Sequence, residues 1–170
     1  MEQTQNRDRA LAQEIVGVFA RGGTLGDCLG RAEADYEAVY AAAHVQYRQG
    51  RYEEALKAFT FLVLNDHLEP RFLRAHAACL LALKRFDPAM QQYGLLMIHE
   101  PDDPRVSYHF AECLIGLGRI DEAGQMLEAV IEMCANDPRH ERLKTRAVAV
   151  HQLLMGKAGL VHEHGAIPNG

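Results

Sequence analysis

The 170-residue sequence holds no tryptophan and a single serine, Ser107. No GxSxG elbow surrounds that serine, so a serine nucleophile is not expected. P-loop, GxGxxG and HExxH spacings are missing as well, so no enzyme activity, cofactor or built metal site is expected. Long apolar runs are absent. The longest, 77–83, falls far short of the roughly 20 residues that cross a bilayer, so stable membrane insertion is not expected. A surplus of positive charge is also lacking. The net charge is −5, which argues against a general binder of nucleic acid or anionic lipid. The first nine residues are polar, with no apolar stretch behind them, so no secretory leader is expected. The cysteines (Cys28, Cys79, Cys113, Cys134) form no close pair and read as reduced, packed thiols of a cytosolic protein.

What is present is a repeat. Apolar residues make up 48% of the chain and charged residues 24%, enough for one domain with a core. A shift of 34 aligns Gly50, Lys84 and Gly118, then Arg51, Arg85 and Arg119. It aligns Ala55, Ala89 and Ala123, then Phe59, Tyr93 and Leu127. It also aligns Pro70, Pro104 and Pro138, each followed by arginine, and it puts Cys79 in register with Cys113. A period of 34 is the tetratricopeptide signature of two antiparallel helices per repeat. The glycine column marks the reversal after helix A, where positive φ is needed and Lys84 bears a modest strain. The alanine column marks the crossing of helix B over helix A. The proline column marks the first turn of each following helix A.

The expected fold is therefore all-α, a tetratricopeptide-repeat solenoid with three helix pairs: 34–48 with 53–65, 70–83 with 87–99, and 104–117 with 121–134. A last helix at 138–155, inside a segment 138–156, caps the open end. Leu11, Ile15 and Val18 recur at helical spacing, so 8–20 reads as an amphipathic helix inside an N-terminal segment 1–33. Gly22 and Gly23 stop it, and Thr24 with Asp27 forms a capping box for a short turn. Residues 34–137 form the repeat block, and 157–170 reads as a flexible tail. Within that tail, His162, Glu163 and His164 could hold a metal only weakly, because no rigid shell supports them.

Charge is uneven: residues 138–157 carry a net +4 against −8 in 1–137. This fits a solvated helix complementing an acidic body, or a face that docks a partner.

Stacked repeats curve, with helices A along the concave face. Helical geometry sends Glu37, Tyr40, His44 and Tyr47 of the first repeat toward that groove. The second repeat sends Arg71, Arg74, Ala78 and Leu81, and the third sends Arg105, Tyr108, Glu112 and Ile115. Aromatic faces, small gaps and arginines together suit a bound peptide. Tyr40 and Tyr47 lie two turns apart and share one face, so they either line the groove together or pack together between helices. Repeat proteins that clamp a C-terminal carboxylate use lysine and asparagine, where this chain has Tyr40, His44 and Ala75; only Arg105 fits. An internal, partly apolar, extended segment suits these positions better.

Several local motifs go beyond the repeat. They are Gly22-Gly23-Thr24-Leu25, Tyr40 with Tyr47, and Gln49-Gly50-Arg51-Tyr52-Glu53-Glu54-Ala55. Asp66-His67, Pro70-Arg71-Phe72, Ala77-Ala78-Cys79, Pro104-Arg105 and Ala111-Glu112-Cys113 complete the set. From about Phe19 to Leu154 the chain resembles the class II chaperones of bacterial type III secretion, which serve translocator proteins. The resemblance implies a protein of the bacterial cytoplasm that keeps hydrophobic, pore-forming translocators soluble and secretion-competent without ATP. It implies a client segment held in the concave groove, with Tyr40, Tyr47 and the surroundings of Phe72 matching the family's groove. It further implies a homodimer formed through the N-terminal helix and, in some members, co-activation of transcription with a DNA-binding regulator. Arg74 and His76 depart from a stretch that is usually smaller and more apolar. The competing expectation is a general tetratricopeptide-repeat scaffold or adaptor that assembles folded partners.

Overall fold

The computed structural model describes residue 13 and residues 16–18, 20–30 and 33–163; of these, the side chains of 28, 33, 34 and 157–163 are left undescribed. Regular structure among them is helical throughout. The helices are α1 (Leu25–Cys28), α2 (Glu33–Arg48), α3 (Tyr52–Asn65), α4 (Pro70–Ala82), α5 (Phe86–His99), α6 (Pro104–Gly116), α7 (Ile120–Met133) and α8 (Glu141–Glu163), with a 3-10 turn at Pro138–His140 before the last. Helices α2 to α7 are the three expected helix pairs, each end within one residue of its expected place.

The turns and caps follow from the repeat columns. Gly50 and Gly118 have φ of 75° and 76°, and Lys84 in the same column has φ of 57°. Glycine adopts that region freely because it has no Cβ to crowd the backbone, so Lys84 carries the strain the period implied. Each proline stands at the first turn of its helix. The residue before it is acidic and accepts from the amide two residues on: Glu69 from Arg71, Asp103 from Arg105, Asp137 from Arg139. The same carboxylate also takes the arginine guanidinium, at 3.1, 2.8 and 2.7 Å. Three helix starts thus share one device, an acid that caps the helix and pins the following arginine. Thr24 and Asp27 cap α1 reciprocally, the Thr24 amide donating to Asp27 Oδ2 at 2.7 Å.

The chain divides into two compact units, 1–83 and 84–170, with the boundary between α4 and α5. In the first unit α2 packs on α3, α3 on α4 and α1 on α3. Its core holds Ala55, Phe59, Leu62, Leu73, Ala77 and Cys79, all buried. A fully buried phenylalanine such as Phe59 contributes about 1.5–3 kcal/mol through loss of water contact. Gly26 lets α1 lie close to α2, since a Cβ there would overlap the Tyr36 hydroxyl. In the second unit α5 packs on α6, α6 on α7 and α7 on α8. Tyr108, Ala111, Leu127, Val130, Cys134 and Ala147 form its core cluster, with Leu143, Val150 and Leu154 of α8 packed against it.

The C-terminal part corrects the expected boundaries. The helix expected to end near 155 runs to Glu163, so residues 157–163 of the expected tail are helical. Gly156 stays inside the helix, because an interior glycine costs only about 1 kcal/mol and ends a helix mainly when it takes positive φ. Residues 164–170, His164 among them, lie outside the described residues. So does much of the expected helix 8–20, whose described residues (13, 16–18 and 20) are helical.

Candidate functional site

In the first unit, α2 and α4 are the helices A of the first two repeats, and they bring the expected groove residues together around Tyr40. Its ring centroid lies 4.5 Å from that of His44, 5.6 Å from Phe72 and 5.8 Å from Phe59. The Arg71 guanidinium stands 5.5 Å from the same ring. That guanidinium is held by Glu37 at 2.8 Å and by Glu69 at 3.1 Å. Tyr40 and His44 are half-buried. Burial pushes the Tyr40 phenol up, partly opposed by Arg71. Burial, and then the charge of Arg48, hold the His44 imidazole below its usual range, so at neutral pH the ring is uncharged.

Tyr47 is also half-buried but has a different neighbour, Tyr52 at the start of α3, 5.2 Å away and edge-on. The two tyrosines share a helix face, yet one is set among rings of α3 and α4 and the other stands at the turn. Arg74, Ala78 and Leu81 of α4 are half-buried, and Arg71 is exposed. Beside Tyr40 opens a cavity of about 230 Å³ lined by Thr24, Asp27, Tyr36, Glu37, Asp66, Glu69, Arg71 and Phe72. Four carboxylates to one guanidinium make that end acidic.

Two expected groove residues are core instead. Phe72 is 2% exposed and packs against Tyr36 and Tyr40, because its position on α4 points between the helices rather than out of them. Tyr108 is 1% exposed. In the second unit Arg146 of α8 lies 5.0 Å from the Tyr108 ring centroid and 2.9 Å from Glu112. Glu112 also meets His109 Nδ1 at 2.8 Å, and the His109 ring stacks on Tyr93. Ile115 packs against the core cluster. Arg105 is exposed and held by both oxygens of Asp103. Tyr108 of the third repeat is thus covered by α8, while Arg105 stays exposed and the tyrosines of the first repeat stay partly open. The acids before the prolines and the covering Arg146 escape a search for single groove positions. The 34-residue spacing would have flagged both, since Glu69, Asp103 and Asp137 recur at one period and Glu112 and Arg146 are one period apart.

The chemistry of these groups suits binding. The first-unit face offers two tyrosine rings, a gap at Ala78, an aliphatic edge at Leu81 and a guanidinium already oriented by carboxylates. Rings and gaps take apolar side chains, and phenols and guanidinium take peptide carbonyls. Among the described residues no group of three His, Cys, Asp or Glu could hold a metal ion. None of the described helices is long and apolar enough to cross a membrane.

Two tetratricopeptide-repeat family models match the chain, over residues 40–100 and 80–147. The chain is similar to the low calcium response locus protein H of Yersinia pestis, 35% identical over 83 residues, which are 48% of this chain and 48% of that protein. It thus spans about half the length of this curated relative. Among solved structures it is similar to the type III secretion translocator chaperone SycD of Yersinia enterocolitica. The TM-score is 0.71 at 32% identity, covering 77% of this chain and 91% of that one. It is also similar to PcrH in complex with the chaperone binding region of PopD, with TM-score 0.70 and 30% identity over 76% of this chain and 97% of that one.

Proposed function

As this chain belongs to the family of type III secretion translocator chaperones, we propose that it binds an extended, partly apolar segment of a translocator protein and keeps that protein soluble before secretion. The binding face is that of α2 and α4 in the first unit. Tyr40, His44 and Tyr47 supply aromatic surface, Ala78 and Leu81 an apolar recess, and Arg71 and Arg74 donors for peptide carbonyls. Arg105, on the second unit, is a donor of the same kind. Tyr108, Glu112 and Phe72 support the fold instead. The observation that carries this reading is the unequal burial of the helix A tyrosines. Tyr108 of the third repeat lies under Arg146, whereas Tyr40 and Tyr47 of the first keep part of each ring open.

Translocators carry apolar segments meant for a membrane, and in the cytosol such segments aggregate unless covered. Covering one needs complementary surface and no chemical step, so the protein acts in the bacterial cytoplasm as a binding chaperone and not as an enzyme. Co-expression tests this. A translocator that sediments when expressed alone is expected in the soluble fraction with this protein, and to return to the pellet with Tyr47→Ala and Leu81→Glu together. A translocator whose solubility does not change on co-expression would overturn the proposal.

A further inference from the structure

Among the described residues, one face of α2 lacks the partner that the repeat supplies elsewhere. In the second repeat, Phe72, Ala75 and Cys79 of α4 are buried, Phe72 against Tyr36 and Tyr40 of α2, and α4 packs on α3, the preceding helix B. In the third repeat Val106 and Cys113 occupy the same columns and are buried, with α5 as the preceding helix B. One period earlier these columns hold Ala38, Ala41 and Val45, and all three are exposed, Val45 to 41%. Ala42 between them is exposed as well. Of the elements described before α2, α1 packs on α3 and leaves this face open.

The opposite end of the chain is finished differently. Where the third repeat buries Ser107, Tyr108 and Ala111, α8 exposes Glu141, Arg142 and Thr145 one period on. A terminal helix with polar residues in its outward columns can face water; one with alanine and valine there cannot do so cheaply. The apolar face of α2 is therefore built to be covered.

The sequence holds a segment of the right kind. Residues 8–20 carry Leu11, Ile15 and Val18 on one helical face, and their described part is helical with Val16, off that face, 66% exposed. A helix of thirteen residues would extend about 20 Å, enough to run along the Ala38–Val45 face. The segment ends at the right place. Gly22, with φ of 78°, turns the chain, and α1 then seats Gly26 against Tyr36 of α2. We propose that residues 8–20 dock on the Ala38–Val45 face of α2 in their own chain, taking the place of the missing preceding helix B. This cover is separate from the client-binding face on α2 and α4.

The test is a cysteine pair, Ile15→Cys with Ala41→Cys, in the full-length protein under mild oxidation. Cys28 is replaced by serine in this background, and the native Cys79, Cys113 and Cys134 are buried and do not compete. A cross-link between positions 15 and 41 within one chain, located by peptide mass spectrometry, is the expected result. A cross-link formed only between two chains would assign the face to a second copy and overturn the proposal, as would no cross-link. An independent readout is amide hydrogen exchange in Val45→Glu, a substitution on an exposed face that leaves the repeat core untouched. Exchange in 8–20 is expected to rise roughly tenfold or more while α3 and α4 keep their protection. Unchanged exchange in 8–20 would overturn the assignment.

Discussion

Arg146 and Glu112, 34 residues apart, meet at 2.9 Å, and the same guanidinium covers the ring of Tyr108 at 5.0 Å. The pair ties α8 to α6 and covers Tyr108 of the third repeat. Arg146 is still 63% exposed, so solvent screens the ion pair and its worth is modest. Arg146→Ala is expected to lower stability by about 1 kcal/mol, from the lost pair together with the lost ring contact. Denaturant midpoints of Arg146→Ala, Glu112→Gln and the double variant check this. Strictly additive effects would mean that the two side chains do not cooperate.

Tyr40 and Tyr47 should separate in their effects. Tyr40 touches Phe59 and Phe72, which are core, so Tyr40→Ala is expected to cost about 2–3 kcal/mol of stability as well as client affinity. Tyr47 touches Tyr52 at the turn, so Tyr47→Ala should leave the melting temperature nearly unchanged and weaken client binding by about 1–2 kcal/mol. Calorimetry with a translocator segment, paired with thermal melts, distinguishes them. Ala55→Leu, at a position with no exposed surface, is the core control and is expected to destabilise by about 1–3 kcal/mol through overpacking.

Lys84 holds φ of 57° in a column that is otherwise glycine. Lys84→Gly removes crowding of roughly 1–2 kcal/mol and returns part of it as unfolded-chain entropy, so a net gain of up to about 1 kcal/mol is expected. Gly118→Ala should do the reverse and lose about 1 kcal/mol. A lower melting temperature for Lys84→Gly would show that the lysine side chain makes up for its backbone.

Burial governs the titrating groups of the core. It pushes the Cys79 thiol up to about 11 and the Cys113 thiol up to about 12, and it raises Cys134 as well. Thiolates, not thiols, react, so these three should resist an aromatic disulfide reagent at pH 8 and label quickly once the chain unfolds. Peptide mass spectrometry after timed labelling reads this directly.

Burial likewise raises the Tyr108 phenol, to about 12, ahead of the adverse charge of Glu112. The folded protein thus holds this proton more tightly than the unfolded chain does. The corresponding stability is complete below pH 10 and drains away as the pH climbs from about 10 to 12. Tyr108→Phe should flatten that alkaline loss in denaturant titrations followed by circular dichroism. An unaltered profile would mean that other groups set it.

Some of this protein was legible in its sequence, because the period of 34 is a local code. Proline at a first turn, glycine or a strained lysine at a reversal, and alanine at a helix crossing each act within a few residues, and so the bounds of α2 to α7 follow from the pattern. The columns Ala55, Ala89, Ala123 and Phe59, Tyr93, Leu127 are buried as the pattern required. What the pattern could not decide is which neighbour each face meets. Tyr40 and Tyr108 occupy the same column, two periods apart, yet one is partly open and the other lies beneath Arg146. Phe72 is one residue from a groove position and wholly inside. The end of α8 escaped for a related reason: a glycine marks a stop only when its backbone turns, and Gly156 stays helical. Periodicity fixes direction around a helix axis. Exposure depends on the element packed against that direction, and at the two ends of a repeat array the neighbouring element is not another repeat. The sequence alone therefore determined the helices and their order, while tertiary contacts decided which of their faces remain open to bind.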